Sequence, residues 1–293
     1  MEFSPSARPA VVAGRFYPGE ARVLRAQVET YLALPPNRVP PSDRMLPDED
    51  ADILAALCPH AGYPFSGPIA GMTLGATPVP QHVILLGPNH TGTGEAFSLW
   101  SGGGWETPLG VMKIDETMRD ALAASSCFVP DQVAHMREHS LEVLAPFLQV
   151  KNKETHICPL IIAHAVFPAL RKAGEALAEA ASACLAAGER ALFIISSDMS
   201  HYLPHEEAVR LDNIALEAVE NLDAEYFFKT VRGRGISMCG VYPMTMALAA
   251  LAKLGVKSAR RIAYATSGET GAAFGADKKK VVGYAGVIFR KGV

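Results

Sequence analysis

The sequence predicts a single α/β domain, residues 1–293, with a central, mostly parallel or mixed β-sheet flanked by helices. Three observations support this prediction. Short apolar runs without polar alternation end in loops rich in glycine, proline or asparagine, which is typical of strands buried on both faces. Segments with an apolar stripe of helical period alternate with these runs. Finally, 293 residues with 49% hydrophobic content can bury a substantial core.

The first half of the chain is expected to open with an extended arm at 8–19, which packs aromatic side chains onto the body. A helix at 20–33 ends at two prolines, and the Pro-rich, acidic segment 35–51 is expected to be a surface connector. The elements expected next are a strand at 53–58, a loop at 62–67 whose glycines allow a ligand to approach the backbone, a short helix at 69–74, a strand at 83–86, hairpin-like strands within 96–114, and helices at 116–124 and 138–150.

The second half repeats the alternation of strands and helices. Gly188 and Gly255 mark the ends of two of its helices, because glycine readily adopts the left-handed conformation that follows a helix. The expected strands are 155–163, 191–195, 261–265 and 281–289, and the expected helices are 168–187, 205–221, 224–230 and 243–254.

Charge and composition restrict the class of function. A net charge of −3, with acidic and basic residues interspersed, leaves no basic stripe for nucleic acid or for a membrane surface. A small molecule, peptide or protein is therefore the expected partner. The chain shows neither the pattern of a secretory signal nor an apolar run of membrane-spanning length, and its five cysteines lack zinc-ribbon spacing. These features predict a cytoplasmic protein with reduced thiols.

Histidines follow three of the predicted strands. His60 comes after the run ending at Cys58, His90 after the run ending at Leu86, and His201 after the run ending at Ile195. In open α/β sheets, ligands bind outside the carboxyl ends of the strands. A single histidine there would most simply be a structural hydrogen-bonding group, but three indicate a shared site. A metal ion is the simplest reason to gather neutral imidazoles.

Cys239 precedes a predicted helix in a glycine-containing entry segment. The partial positive charge of a helix N-terminus favours a thiolate, which is both a nucleophile and a metal ligand. With two strand-end histidines it would form a His-His-Cys set with open coordination positions, suited to iron(II), copper or zinc. The other interpretations of Cys239 are a small buried core residue or a nucleophile with a histidine base and no metal.

Proton transfer is assigned to three further residues. His139, at the expected start of the 138–150 helix, is a candidate proton shuttle or hydrogen-bond partner of the site, and the other interpretation is a helix N-terminal cap. Asp198 and His201 are three residues apart and can face the same way, so the carboxylate would orient the imidazole as a general base. A pocket around these groups would include Asn89 and Ser66 as hydrogen-bond donors and Tyr63 and Tyr202 as walls.

Nine motifs in chain order resemble the Memo family, in particular its prokaryotic branch, the AmmeMemoRadiSam system protein B. They are GRFYP at 14–18, HAGY at 60–63, LGPNHTG at 86–92, WETPLG at 105–110, EHSLE at 138–142, SSDMSHY at 196–202, CG at 239–240, TSG at 266–268 and VGYAG at 282–286.

The resemblance implies a fold shared with the LigB-type class III extradiol dioxygenases, which are non-haem iron enzymes. By motif, it implies His60, His90 and Cys239 as metal ligands, with Asp198 and His201 nearby and His139 at the pocket wall. A thiolate then stands where the dioxygenases have a carboxylate, a departure that argues against ring cleavage. The resemblance also implies a functional link to a radical SAM enzyme and an AMMECR-like protein.

The function expected from the sequence is that of a non-haem iron or copper redox protein or a dioxygenase-like oxidoreductase. The rival hypothesis is a non-catalytic module that binds a peptide or protein in the same pocket.

Overall fold

A mixed β-sheet runs through the centre of the molecule in the computed structural model, which describes residues 6–36 and 53–292. The order along the sheet is β10-β11-β1-β8-β2-β7-β3-β6; in addition, β5 pairs with β4 and β7, and β9 pairs with β11. The strands are β1 (Ile53–Cys58), β2 (His82–Pro88), β3 (Phe97–Trp100), β4 (Trp105–Thr107), β5 (Gly110–Ile114), β6 (Val129–Asp131), β7 (His156–Ile162), β8 (Ala191–Ser196), β9 (His201–Leu203), β10 (Val256–Thr266) and β11 (Val281–Lys291).

Helices cover both faces of this sheet. The described helices are α1 (Ala21–Leu32), α2 (Tyr63–Gly75), α3 (Glu116–Ala124), α4 (Ala145–Lys151), α5 (Phe167–Ala186), α6 (His205–Glu220), α7 (Ala224–Gly233), α8 (Val241–Lys253) and α9 (Ser267–Thr270), with 3₁₀ turns at Glu142–Leu144 and Ala272–Phe274. Helices α1, α2 and α4 pack on one face, and α3 and α5 to α8 on the other. This arrangement confirms the predicted α/β class with a mixed sheet, and agrees with the LigB-like fold that the resemblance implies.

The four central strands, β1, β8, β2 and β7, are parallel to one another. Their side chains alternate between two cores: in β2, Ile84 and Leu86 belong to one and Val83 and Leu85 to the other. Both faces of these strands are therefore apolar, which explains the absence of polar alternation in the sequence.

The register of the central strands sets their carboxyl ends side by side. Cys58 at the end of β1 pairs with Ser196 at the end of β8, and Leu86 of β2 pairs with Ile195 of β8. The loops that carry His60, His90 and residues 197–201 therefore leave the sheet at neighbouring positions.

The segment 62–67 is helical, so the loop predicted there is wrong. Helix α2 begins at Tyr63 and accommodates Pro64 in its first turn, where a proline loses no helical hydrogen bond. Its glycines meet helix α1 and not a ligand: a Cβ atom on Gly71 would lie 2.4 Å from the Tyr31 Cβ atom. The glycines thus permit close packing of two helices.

The helix predicted at 138–150 starts later than expected. Residues 138–141 are not helical, and the 3₁₀ turn begins at Glu142. The Glu138 carboxylate accepts the backbone N–H groups of His139 and Ser140, which ties this stretch into a side-chain-capped loop. The 96–114 region is also more divided than expected, because β4 and β5 form a hairpin whereas β3 joins the main sheet beside β7.

The N-terminal arm is anchored by an ion pair inside the protein. Arg8 is fully buried, and its Nη1 atom lies 2.7 Å from Oε2 of the equally buried Glu142. The Glu142 carboxylate also accepts the backbone N–H of Val12 and the Tyr17 hydroxyl. Arg8 in turn donates to the carbonyl of Glu138. The arm therefore fixes the position of the 138–142 loop through these contacts to Glu138 and Glu142.

His135 is expected to make the fold sensitive to acid. Its ring is buried between Trp100 and Trp105, with centroid distances of 5.5 and 6.0 Å. Burial, together with the nearby Arg8 charge, lowers the pKa of His135 to about 3. The unfolded chain protonates His135 near pH 6.5, whereas the folded protein does so only near pH 3. The contribution of neutral His135 to the free energy of unfolding is therefore complete above pH 6.5 and is lost as the pH falls from there towards 3.

Replacing His135 by Phe should therefore flatten the decline in unfolding free energy between pH 6.5 and 3, as measured by urea denaturation at a series of pH values. A variant with the same pH profile as the wild type would show that His135 does not cause the decline.

Helices long and apolar enough to cross a bilayer do not occur within 6–36 or 53–292. Most of the connector predicted at 35–51 lies outside the described residues, and the extension of one domain over 1–293 stays a prediction.

Candidate metal centre

His60 is held as a neutral imidazole by a chain of two hydrogen bonds. The residue is 2% exposed, and its Nδ1 atom lies 2.6 Å from Ser196 Oγ, which donates to the Ser140 carbonyl at 2.7 Å. Since a carbonyl can only accept, the serine proton is used there, and Ser196 Oγ must accept from His60 Nδ1–H. Burial, reinforced by neighbouring histidines, lowers the pKa of His60 well below its usual value. The Nε2 atom therefore presents a free lone pair.

His90 is oriented in the same way by a carboxylate. Its Nδ1 atom lies 2.9 Å from Glu138 Oε1, and its backbone N–H donates to Glu138 Oε2 at 2.6 Å. Burial opposes ionisation of Glu138, but the hydrogen bond and charge of His90, with the backbone N–H of Ser140, outweigh it and hold the pKa at about 2. A carboxylate that accepts from Nδ1–H leaves His90 Nε2 free to bind a metal and makes it more basic.

Cys239 faces His60 from the entry to helix α8. Its Sγ atom lies 3.4 Å from His60 Nε2 and accepts the backbone N–H of Asp198 at 3.1 Å. Burial, and to a lesser degree the Asp198 carboxylate, raises the pKa of the Cys239 thiol far above its usual value. The sequence predicted a thiolate favoured by the helix N-terminus. Burial outweighs that effect, and a bound cation would have to displace the thiol proton.

The ligand atoms of His60, His90 and Cys239 all lie within 4.8 Å of one another. With metal–ligand bonds of about 2.0–2.3 Å, the ligand atoms of a tetrahedral ion are about 3.3–3.6 Å apart, so the separation of His60 Nε2 and Cys239 Sγ fits a shared ion. Two free imidazole lone pairs and one sulfur make a donor set that suits a borderline or soft metal. The residues present therefore fit the metal that the sequence analysis inferred.

His139 lies against this set without belonging to it. Its ring stacks on His90 with a centroid distance of 4.9 Å and meets the edge of Phe16, also at 4.9 Å. The ligand atoms of His90, Glu138 and His139 also form a group within 4.8 Å. The Glu138 oxygens, however, already accept four N–H groups, which favours Glu138 as the residue that orients His90.

Asp198 and His201 do not form the pair that the sequence predicted. Asp198 Oδ1 accepts the backbone N–H of His60 at 2.8 Å, and burial raises the pKa of Asp198 to about 6. His201 Nδ1 lies 2.8 Å from the Ser237 carbonyl, so Nδ1 carries the proton and Nε2 is free. The tautomer of His201 is thus set by a backbone carbonyl. His201 nevertheless interacts electrostatically with both His60 and Asp198.

Two of the four residues expected to line the pocket lie in the protein interior. Tyr63 is fully buried and donates to the Val143 carbonyl, and Ser66 is fully buried and donates to the Ala61 carbonyl. Both belong to helix α2, which the sequence analysis interpreted as a loop, and helical packing turns them inward. These two assignments to the pocket are therefore corrected.

The other two, Asn89 and Tyr202, lie nearer the surface. The Asn89 amide is used within its own loop, where it donates to the Thr93 carbonyl and accepts from Gly92 N–H. Tyr202 is 73% exposed and adopts a positive φ of 60°. Asn89 thus shapes the loop that carries His90, and Tyr202 stands in solvent beside His201.

A pocket of about 330 Å³ adjoins Cys239 on the side of helices α7 and α8. Its lining is mixed, with an apolar floor and the polar ends of a few side chains: Val231, Arg232, Gly235, Ile236, Ser237, Met238, Cys239, Val241 and Tyr242. The Arg232 guanidinium lies 5.9 Å from the Tyr242 ring centroid. The pocket therefore offers a cation and an aromatic ring next to the candidate sulfur ligand.

Sequence reasoning did not identify the partners that orient the ligands. In the sequence, Ser196 and Glu138 stand out only as members of the SSDMSHY and EHSLE motifs, with no role assigned to either. The one available signal was position, because Ser196 ends a strand next to the His60 strand and Glu138 precedes His139. These positions do not indicate that Ser196 contacts His60 or that Glu138 contacts His90.

Comparisons with known proteins match nearly the whole chain. A family model described as Memo-like protein matches residues 8–288. A MEMO1 family protein of Aquifex aeolicus is 37% identical over 284 residues, covering 96% of this chain and 98% of that protein. Proteins described in the same way from Methanopyrus kandleri and Sulfurisphaera tokodaii are 35% and 38% identical, and each covers at least 96% of this chain.

Proposed function

This chain belongs to the Memo family, and on that premise we propose that it is a redox metalloprotein that holds iron(II) or copper between His60, His90 and Cys239. The observation that carries the proposal is the tautomer of the two imidazoles, that is, which ring nitrogen carries the proton. Ser196 and Glu138 each accept a hydrogen bond from the Nδ1–H of a histidine, which leaves both Nε2 lone pairs free, and a ligand atom of each histidine lies within 4.8 Å of one sulfur. Such partners are characteristic of metal-binding histidines.

The donor set bears on the choice of metal. Thiolate and imidazole together suit copper, iron and zinc, whereas a set of oxygens would suit magnesium or calcium. Bound iron(II) or copper would supply a redox centre with coordination positions left open for a small substrate. Zinc would fit the same residues but would supply no redox chemistry, so metal identity decides between an oxidoreductase and a structural or Lewis-acid site.

Two histidines are suited to move protons at this site. His201 donates its Nδ1 proton to the Ser237 carbonyl, so its Nε2 atom can accept a proton from a substrate. Burial lowers the pKa of His139 despite the nearby Glu138 carboxylate, which keeps His139 neutral and able to accept a proton. His60 is unsuited to this role because its Nδ1 atom donates to Ser196 and its Nε2 atom would bind the metal. Asp198 acts indirectly, by holding the backbone of His60.

Metal content is the first test of the proposal. Protein purified without chelator or affinity-tag metal is expected to contain close to one equivalent of iron or copper by mass spectrometry, and His60→Ala is expected to contain almost none. Full retention of metal in His60→Ala would contradict the proposed ligand set. Zinc alone, with no loading of iron(II) or copper under anaerobic conditions, would contradict the redox role.

The Glu138 carboxylate should matter nearly as much as a ligand. Glu138→Gln is expected to weaken metal binding about 10–100-fold, because a neutral amide is a poorer acceptor for His90 Nδ1–H and makes the imidazole less basic. Competition with a chromophoric chelator measures the affinity. Glu106→Gln, at an exposed position, is the matched control. Equal affinities in the two variants would show that Glu138 does not support the metal site.

The alternative function is a non-catalytic module that binds a peptide or a protein. The observation in its favour is Tyr202, an exposed aromatic side chain held at a strained backbone angle beside the site. This alternative gains support if the purified protein holds no metal, loads none, and loses binding of a co-purifying protein on Tyr202→Ala.

A third possibility is a metal-free nucleophile at Cys239. Iodoacetamide labelling, located by mass spectrometry, distinguishes this role from that of a ligand. Protection of Cys239 by added iron(II), with unchanged labelling of the partly buried Cys127, supports a ligand. Rapid labelling that metal does not affect supports a nucleophile.

A functional link to a radical SAM enzyme and an AMMECR-like protein is part of the same proposal and rests on the family likeness alone. Co-purification of the three proteins after joint expression tests it.

A further inference from the structure

A second group of side chains that can bind a metal lies at the amino-terminal ends of the central strands, opposite the candidate metal centre. His82 begins strand β2, Cys184 is in the last turns of helix α5, and Glu189 follows that helix. One ligand atom from each lies within 4.8 Å of the other two. The Sγ atom of Cys184 is 3.4 Å from Glu189 Oε2, which is 3.2 Å from His82 Nε2.

The fold brings these three residues together through backbone constraints. Gly188 adopts a φ of +81° after α5, and the N–H of Glu189 returns to the carbonyl of Cys184. This turn places the carboxylate next to the sulfur of the same helix end. His82 is added by the sheet, because it pairs in register with Ala191, two residues after Glu189.

The tautomer of His82 makes the group more than an incidental ion pair. Asp115 accepts from the backbone N–H of Met118 at the start of α3, and its other oxygen lies 2.7 Å from His82 Nδ1. A carboxylate there requires a proton on Nδ1. In a neutral ring the Nε2 lone pair then faces the Glu189 oxygen across 3.2 Å. Two acceptors at that distance need a cation between them, either a proton on His82 or a metal ion.

We propose that His82, Cys184 and Glu189 form a second metal site, distinct from the candidate centre at the strand ends, that binds Zn²⁺. The distance of 3.4 Å lies within the spacing of about 3.3–3.6 Å between ligand atoms of a tetrahedral zinc ion, and the distance of 3.2 Å lies just below it. The Cys184 thiol donates to the same Glu189 oxygen that faces His82, so a zinc ion that displaces the thiol proton would have sulfur, nitrogen and carboxylate oxygen as ligands around one position. Asp115 orients His82, as carboxylates orient zinc-bound histidines.

Such a site would link the carboxyl end of α5 to the amino-terminal ends of strands β2 and β8. Three protein ligands and one open position also allow a water molecule or a small anion as the fourth ligand. Zinc binding there would stabilise the folded chain, because it binds the native state in preference to the unfolded one.

Cobalt(II) substitution tests the proposal, because a thiolate bound to cobalt gives a charge-transfer absorption band. In Cys239→Ser protein, which lacks the sulfur of the first site, titration with Co²⁺ is expected to produce this band at one equivalent, and added Zn²⁺ should remove it. The band should disappear on the further change Cys184→Ser and persist on Cys127→Ser, the matched control. Absence of the band, or its persistence without Cys184, would overturn the proposal.

A second measurement avoids the Cys239→Ser background. In an otherwise wild-type chain, Cys184→Ser is expected to bind one equivalent less Zn²⁺ in equilibrium dialysis and to lose part of the rise in Tm that Zn²⁺ causes. The same stoichiometry and the same rise in Tm in both proteins would show that His82, Cys184 and Glu189 form only an ion pair. His60→Ala separates the two sites, since it should reduce binding at the first site without affecting that at the second.

Discussion

Cys239→Ser is expected to weaken binding of copper(I) or iron(II) by at least about 100-fold, a larger effect than the loss of an outer hydrogen-bonding partner. The change replaces a sulfur ligand by a hydroxyl, which stays protonated at neutral pH and is a poor ligand for soft metals. It leaves the orientation of both imidazoles intact, because His60 is held by Ser196 and His90 by Glu138. The loss therefore reports on the sulfur itself.

Anaerobic competition titrations with a chromophoric chelator measure this loss. Cys127→Ser is the control, because Cys127 is another free thiol and lies outside all three groups of possible metal ligands among the described residues. An affinity within a fewfold of wild type for Cys239→Ser would mean that the metal is held by the histidines with Glu138, the other group that the geometry offers. In that case His139→Ala should have the larger effect.

Glu142→Ala is expected to destabilise the protein by about 3–5 kcal/mol, the usual cost of leaving one member of a buried ion pair without its partner. Arg8 has no exposed surface, so its guanidinium cannot recover hydration when the carboxylate is removed. The Tyr17 hydroxyl and the backbone N–H of Val12 would also lose their acceptor. Urea denaturation at neutral pH measures the change in unfolding free energy.

Glu142→Gln separates the effect of the side chain's shape from that of its charge. Because glutamine keeps an oxygen acceptor, this change should reduce the unfolding free energy by less than Glu142→Ala does. The double change Arg8→Met with Glu142→Met removes both charges and should recover part of the loss. A loss below about 1 kcal/mol for Glu142→Ala would show that the ion pair contributes no more than a surface pair. Because Arg8 also holds the Glu138 carbonyl, Glu142→Ala is further expected to weaken metal binding.

The fold class and the convergence of two histidines could be predicted from the sequence because both depend on local patterns. An apolar run that ends at glycine, proline or asparagine indicates a buried strand and the position of its end. Parallel strands then bring the loops at their carboxyl ends to one edge of the sheet. His60 and His90 come together for this reason. The position of Cys239 before a helix predicted only a favoured thiolate, and the family resemblance implied that it joins the two histidines.

The assignments that failed depended on local sequence patterns that are compatible with two different structures. The segment 62–67 contains two glycines and a proline, which suit a loop, yet the same residues suit a helix that begins at Tyr63 and packs closely on α1. Tyr63 and Ser66 were therefore assigned to a pocket although helical packing buries them. His201 was paired with Asp198 because they are neighbours in sequence, whereas in the folded chain the His201 Nδ1 atom lies 2.8 Å from the Ser237 carbonyl.

By itself, the sequence determined the strands, the helices that cover them and the residues delivered to the strand ends, because hydrophobic periodicity and turn-forming residues act over a few positions. Only the tertiary structure decided the protonation and direction of the ligands. Ser196 lies 136 residues from His60, and Glu138 lies 48 residues from His90. A hydrogen bond between such distant residues depends on strand order and loop path, which no local pattern encodes, and it is this bond that decides which nitrogen of each imidazole is free to bind a metal.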